Sequence, residues 1–187
     1  MPAVITPYNL TGLVSKPTCL NLMLLGKKVS SKHAIIEVGT FRGKSACCLA
    51  KNAKAHVYTV DPWDLQGNEH GKHGFTDPTL KSVFDDQVAA AGLTDRITHI
   101  QKFSVEAADE WEGPPVGLLF IDGDHAESSV WSDFEAWKEH LVDGAIVILD
   151  DVNTDVNPGV RVVFDKLDLD KKRFLKDHLA VGEYNER

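Results

Sequence analysis

Apolar residues along this chain alternate between short unbroken runs and stripes at helical spacing. Ala34-Ile35-Ile36-Glu37-Val38 is an apolar run closed by Gly39, the pattern of a strand buried on both faces. Val57–Val60, Arg96–Phe103, Val116–Ile121 and Ala145–Leu149 read as further strands. Helical stripes lie between them. Leu20, Met23 and Leu24 mark one face of a weak helix over Lys16–Val29, and Ala46, Leu49 and Ala50 mark a helix over Ser45–Lys54. Leu80, Val83, Phe84, Val88 and Ala91 form a stripe that Gly92 ends, with Asp77-Pro78 as the expected start. Ser104 is placed to cap a short helix reaching Trp111. Val130, Phe134, Trp137 and Leu141 form the next stripe. Pro158-Gly159 opens a last helix through Val160, Val163, Phe164 and Leu167. Arg173–Tyr184 supplies two short strands.

Strands alternating with helices predict an α/β fold: a Rossmann-like, doubly wound, mainly parallel sheet with helices on both faces and an antiparallel C-terminal strand. No repeat or linker divides residues 1–187, so a single domain is expected. In such a sheet, ligands bind beyond the carboxyl ends of the strands. The residues just past each strand are therefore the candidates for chemistry. Gly39–Gly43 comes after the first strand, Asp61 after the second, Asp122-Gly123-Asp124-His125 after the fourth, and Asp150-Asp151 after the fifth.

The glycine loop has the spacing Glu37-x-Gly39-x-x-x-Gly43, not the Gly-x-Gly-x-x-Gly of dinucleotide folds. By itself it suits a close ligand approach and a tight strand-to-helix turn equally. Asp61 is placed to accept ribose hydroxyls, or to cap the turn before Pro62. An acidic setting suits a cationic sulfonium better than a pyrophosphate, which disfavours a nicotinamide cofactor. Asp122, Asp150 and Asp151 make an all-oxygen set for a hard cation such as Mg²⁺, or else bond loop N–H groups.

Charge narrows the partners. The net charge is -8, which disfavours general binding to nucleic acid or to an anionic membrane surface. The three cysteines (Cys19, Cys47 and Cys48) show no metal spacing and no disulfide framework, so a reduced, cytoplasmic setting is expected. Met1–Asn9 lacks a signal-peptide pattern, and no apolar stretch is long enough to span a membrane.

Taken together, Ile-Ile-Glu-Val-Gly-Thr-Phe-x-Gly-x-Ser, Val-Asp-Pro-Trp, Phe-Ile-Asp-Gly-Asp-His and Ile-Leu-Asp-Asp resemble class I S-adenosylmethionine-dependent methyltransferases. The likeness runs from about Ile35 to Phe164. The branch it is most similar to is the small methyltransferase-domain group, beside metal-dependent sugar and small-molecule O-methyltransferases and the cephalosporin-hydroxylase-like proteins. The resemblance implies that Glu37, Gly39, Thr40, Phe41, Gly43 and Ser45 line the methionine end of S-adenosylmethionine. It places Asp61 at the ribose with Trp63 beside it, Ser104 near the adenine, and Asp122 beside the methyl donor. Asp122, Asp150 and Asp151 would hold Mg²⁺, and Asp124 or His125 would serve as general base, with Asp124 slightly preferred. Trp63 has a core role as its alternative. His70 and His73, in the long loop after the second strand, read as a lid or substrate contact or as solvated residues. The implied acceptor is the hydroxyl of a small molecule or sugar. The short termini leave that site open or completed by a second subunit of a homo-oligomer. A non-catalytic cofactor- or partner-binding module and a metal-independent methyltransferase are the competing readings.

Overall fold

The computed structural model describes residues 5–63, 79–153 and 155–186. His70, His73 and the expected Asp77-Pro78 helix start lie outside the described residues. The strands are β1 (Ala34–Val38), β2 (His56–Val60), β3 (Ile97–Ile100), β4 (Val116–Ile121), β5 (Leu141–Leu149), β6 (Asp170–Phe174) and β7 (Ala180–Tyr184). The helices are α1 (Lys16–Gly26), α2 (Lys44–Asn52), α3 (Leu80–Ala90), α4 (Ser104–Asp109), α5 (Glu127–Lys138) and α6 (Pro158–Lys166), after a 3₁₀ turn at Pro7–Asn9.

The seven strands form one sheet in the order β3-β2-β1-β4-β5-β7-β6. β1 pairs in parallel with β2 and β4, β2 with β3, and β4 with β5. β7 runs antiparallel to both β5 and β6. The expected α/β architecture is therefore present, and its antiparallel part is a complete hairpin beginning at Asp170. β7 pairs with β5 along its full length, from Ala180 opposite Leu149 to Tyr184 opposite Ala145. The chain winds outward from β1 in one direction through β2 and β3, and in the other from β4. A crevice must therefore open between the carboxyl ends of β1 and β4.

Alternation along the central strands feeds two cores. Ile35, Leu118 and Phe120 point into one, where α1, α2 and α3 pack. Ile36, Val38, Leu119 and Ile121 point into the other, beneath α4, α5 and α6, with Trp137 and Phe164 fully buried. All of β1 and β4 is buried, which explains why neither shows polar alternation.

Four expectations change. The face of α1 is rotated: Leu20 and Leu24 are 45% and 61% exposed, while Cys19, Leu22, Leu25 and Gly26 are buried. Small residues decide this, since a Cβ at Gly26 would overlap the Leu49 carbonyl of α2. α1 is apolar on several sides, and the side with small residues is the one that can approach closely. Leu141 opens β5 instead of closing α5, and β3 ends at Ile100, short of Phe103. Ser104 is the first residue of α4, not its cap, and Phe103 holds the cap position without a side-chain bond. Among the described residues, no helix is long and apolar enough to cross a membrane.

Candidate active site

The loop between β1 and α2 is built from backbone conformations that most side chains avoid. Gly39, Phe41 and Gly43 have φ of 91°, 45° and 78°. At Gly39 a Cβ would overlap the carbonyl oxygen of Asp122, so glycine is what lets β1 and the end of β4 close together. A Cβ at Gly43 would overlap the Phe84 ring of α3.

Asp61 anchors this loop from the end of β2. Its Oδ2 accepts the N–H groups of Thr40 (2.9 Å) and Phe41 (3.0 Å), and its Oδ1 accepts that of Trp63 (2.9 Å). Both turn-capping and loop-anchoring are thus on display, and Oδ1 retains a lone pair. The Trp63 indole N–H reaches back to the Phe41 carbonyl at 3.2 Å. The Trp63 ring stacks on His99 with centroids 3.6 Å apart and meets Phe84 edge-on. Its contacts among the described residues are those of a packed brace behind the loop. His99 Nε2 lies 3.1 Å from the Asp61 carbonyl oxygen. Burial lowers the His99 pKa to about 4 despite the nearby Asp61 charge, so the ring is neutral and carries its proton on Nε2.

Beneath the loop lies a buried polar chain. The Thr59 hydroxyl donates to Glu37 Oε2 at 2.5 Å, so the Thr40 hydroxyl, bonded to Thr59, is the donor of that pair. Glu37 is fully buried and its Oε1 has no hydrogen-bond partner. Burial raises its pKa to about 8, the hydroxyls of Ser45 and Thr59 draw it back, and the charges of Asp122 and Asp61 push it further up. Acids from the ends of three strands therefore sense one another across one crevice. A cation entering it would relieve their repulsion.

The carboxyl ends of β4 and β5 hold the second group. Burial, then repulsion from Asp151, raises the Asp122 pKa to about 8; burial, then Asp122, does the same for Asp150. A hydrogen bond from Asp150 pulls Asp122 back down. His125 Nε2 lies 3.7 Å from both Asp122 Oδ1 and Asp151 Oδ2, buried and without a hydrogen-bond partner. Asp151 adopts a φ of 57°, and Asn157 Nδ2 donates to its Oδ2 at 2.9 Å. The acids expected to hold Mg²⁺ do come together. Among the described residues, though, no three His, Cys, Asp or Glu side chains are arranged to hold a metal ion. The oxygen donors of Asp122, Asp150 and Asp151 are of the kind that suits a hard cation.

Two other residues take roles the sequence did not suggest. Asp124 is exposed, with Oδ1 accepting the Ala126 N–H and Oδ2 the Ser129 hydroxyl, which turns it to the start of α5. Asp124 is thus tied to the start of α5, while His125 Nε2 lies between the Asp122 and Asp151 carboxyl groups. Ser104 accepts the Trp137 indole N–H at 3.1 Å and bonds the buried Asp133, whose pKa burial raises to about 6. Its hydroxyl thus faces α5. Thr59 and Gln87 also went unrecognised, though each left a trace. Thr59 is a polar residue inside an apolar strand, and Gln87 falls on the apolar stripe of α3, three residues after Phe84 and four before Ala91.

The strand order and the crevice define a Rossmann-like methyltransferase fold. Residues 36–152 match the family described as Methyltransferase domain, and the chain belongs to it. An uncharacterized protein of Sinorhizobium fredii is 31% identical over 124 residues, 63% of this chain and 13% of its own length. The chain spans 13% and 50% of the lengths of two curated relatives it matches. Among solved structures, a cofactor-bound protein from MTB superposes with a TM-score of 0.72 at 19% identity, covering 96% of this chain and 85% of the other. The O-methyltransferase from Bacillus cereus in complex with SAH gives a TM-score of 0.69 at 19% identity, covering 94% and 85%.

Proposed function

We propose that this protein transfers the methyl group of S-adenosylmethionine to a hydroxyl of a small molecule, sugars included. One observation carries this reading. At the switch point of the sheet, the glycine loop closes on the end of β4 above the buried, partly unpartnered Glu37. That is a close backbone approach with an acidic floor, suited to a cationic nucleoside. The likeness of the fold to the Bacillus cereus O-methyltransferase supports oxygen as the accepting atom.

In this reading Glu37, Gly39, Thr40, Phe41, Gly43 and Ser45 hold the methionine end, and the spare lone pair of Asp61 Oδ1 takes a ribose hydroxyl. Asp122 lies beside the methyl donor. The bound cofactor supplies an electrophilic methyl carbon. His125 Nε2, the unpartnered base of the crevice, accepts the proton of the acceptor hydroxyl. Asp122 and Asp151 on either side stabilise the imidazolium that forms. The rest of the rate comes from holding oxygen and carbon in line.

Calorimetric titration of S-adenosylmethionine into the wild-type protein and Asp61→Ala tests the cofactor. Binding is expected, and the variant should weaken it on the order of 100-fold, since three loop N–H groups lose a charged partner. No binding to the wild type would sink the proposal. His125→Ala should keep the cofactor affinity and lower the turnover of a hydroxylated acceptor by about 10²–10⁴. Mg²⁺ assistance is the second reading, favoured by the gathering of Asp122, Asp150 and Asp151. Turnover abolished by a chelator and restored by Mg²⁺ would select it over proton transfer to His125 alone.

A further inference from the structure

Gln87 sits in the middle of α3, on its buried side, where an apolar residue would ordinarily pack. Its amide is fully bonded. Oε1 accepts the Thr11 N–H (2.5 Å) and the Thr11 hydroxyl (3.0 Å). Nε2 donates to the Thr11 carbonyl (3.0 Å) and to the Arg42 carbonyl (2.6 Å). The amide thus pairs with both backbone groups of Thr11 as another peptide would, and gives its remaining proton to the glycine loop.

Those bonds join three pieces that are distant in sequence. The N-terminal segment lies along α3, with the Ile5 N–H on the Ala90 carbonyl at 3.0 Å. It then crosses the start of α2, where a Cβ on Gly12 would stand 2.9 Å from the Cβ of Lys44. Asp61 and Trp63 hold the glycine loop at Thr40 and Phe41. The carbonyl of Arg42, the next residue, accepts from Gln87 Nε2. Phe84, one turn earlier on α3, fills the space beside Gly43.

Resting on the cofactor reading above, we propose that Gln87 is a positioning residue for the cofactor-binding loop, coupling its conformation to the seating of the N-terminal segment. Only an uncharged amide of this length meets the demand. It must give two protons to two carbonyl groups and accept two from Thr11. A carboxylate offers no proton to either carbonyl, and an apolar chain serves none of the groups. A loop released at Arg42 samples conformations that cannot close on the cofactor, so its affinity falls by the fraction of time the competent one is lost.

The test is S-adenosylmethionine titration of the wild type, Gln87→Leu and the isosteric Gln87→Glu, with amide hydrogen exchange on each free protein. Asp86→Ala, an exposed neighbour on α3, is the control. Both Gln87 variants should bind at least about tenfold more weakly. Exchange should quicken at the amides of Thr40–Gly43 and stay slow at Leu118–Ile121, with Asp86→Ala matching the wild type. Folded variants that bind with wild-type affinity would overturn the inference while leaving the cofactor reading intact. Variants that unfold, or that lose protection across the whole sheet, would also overturn it by making Gln87 a core residue only. A wild type that does not bind the cofactor would overturn both.

Discussion

At the scale of single residues, Glu37 shows how burial turns an ordinary acid into a sensor of charge. Its carboxyl is fully buried and titrates near 8, so it is mostly protonated at neutral pH in the free protein. A cation bound in the crevice favours the ionised form. Binding at pH 7 should therefore release protons, and affinity should rise with pH up to about 8 and level off beyond. Calorimetry in buffers of different ionisation enthalpy counts those protons. Glu37→Gln should bind more weakly and release fewer of them, and unchanged release would refute this role. The sign for stability follows from the same shift. The folded state binds more protons than the unfolded state between about 4.5 and about 8, so this group costs stability as pH rises through that window. The residue identities were readable in advance. The unpartnered Oε1 and the Thr40–Thr59–Glu37 chain were not, because they depend on two strands and a loop meeting in register.

At the scale of elements, the β1–α2 loop is the piece most closely determined by its glycines. Gly39 combines a φ of 91° with no room for a Cβ against the Asp122 carbonyl. Gly39→Ala should therefore cost roughly 2–4 kcal/mol of stability, from backbone strain plus the forced separation of β1 from the end of β4. Chemical denaturation measures this, and a loss under about 1 kcal/mol would show that the loop adapts. The helices were less readable. α1 has apolar side chains on several faces, and the buried face was settled by Gly26 meeting the Leu49 carbonyl of α2. Ser104 looked like a cap by type and position. The Trp137 indole and Asp133, both from α5, engaged it instead.

At the scale of the whole molecule, the sheet ends on one side at β6, all of whose residues are exposed. Its sequence Asp170-Lys171-Lys172-Arg173-Phe174 places three cations on an open edge, a common guard against pairing with another chain. Lys171 pairs with Glu183 of β7, and Arg161 stands over Phe174. Replacing Lys171, Lys172 and Arg173 together by Val should shift sedimentation toward larger species at the same concentration. An unchanged profile would show that the edge is guarded by other means. The acidic balance of the chain is distributed differently. Its site acids lie at the carboxyl ends of the parallel strands, where strand order sets Asp61, Asp122, Asp150 and Asp151 along one edge of the sheet.

The sequence by itself determined the alternation of strands and helices, the glycine loop after β1, and the acids at the strand ends. These are local patterns of period, turn chemistry and residue type, and they need no knowledge of the groups that lie across the sheet. Tertiary structure decided which groups those residues meet. It turned Asp124 toward α5 and left His125 facing Asp122 and Asp151. It raised the pKa values of Asp122 and Asp150 by burying them near one another and placed Gln87 against Arg42 and Thr11. The physical reason is that protonation, partner choice and helix facing are set by distances between residues tens of positions apart, and those distances exist only once the layers have packed.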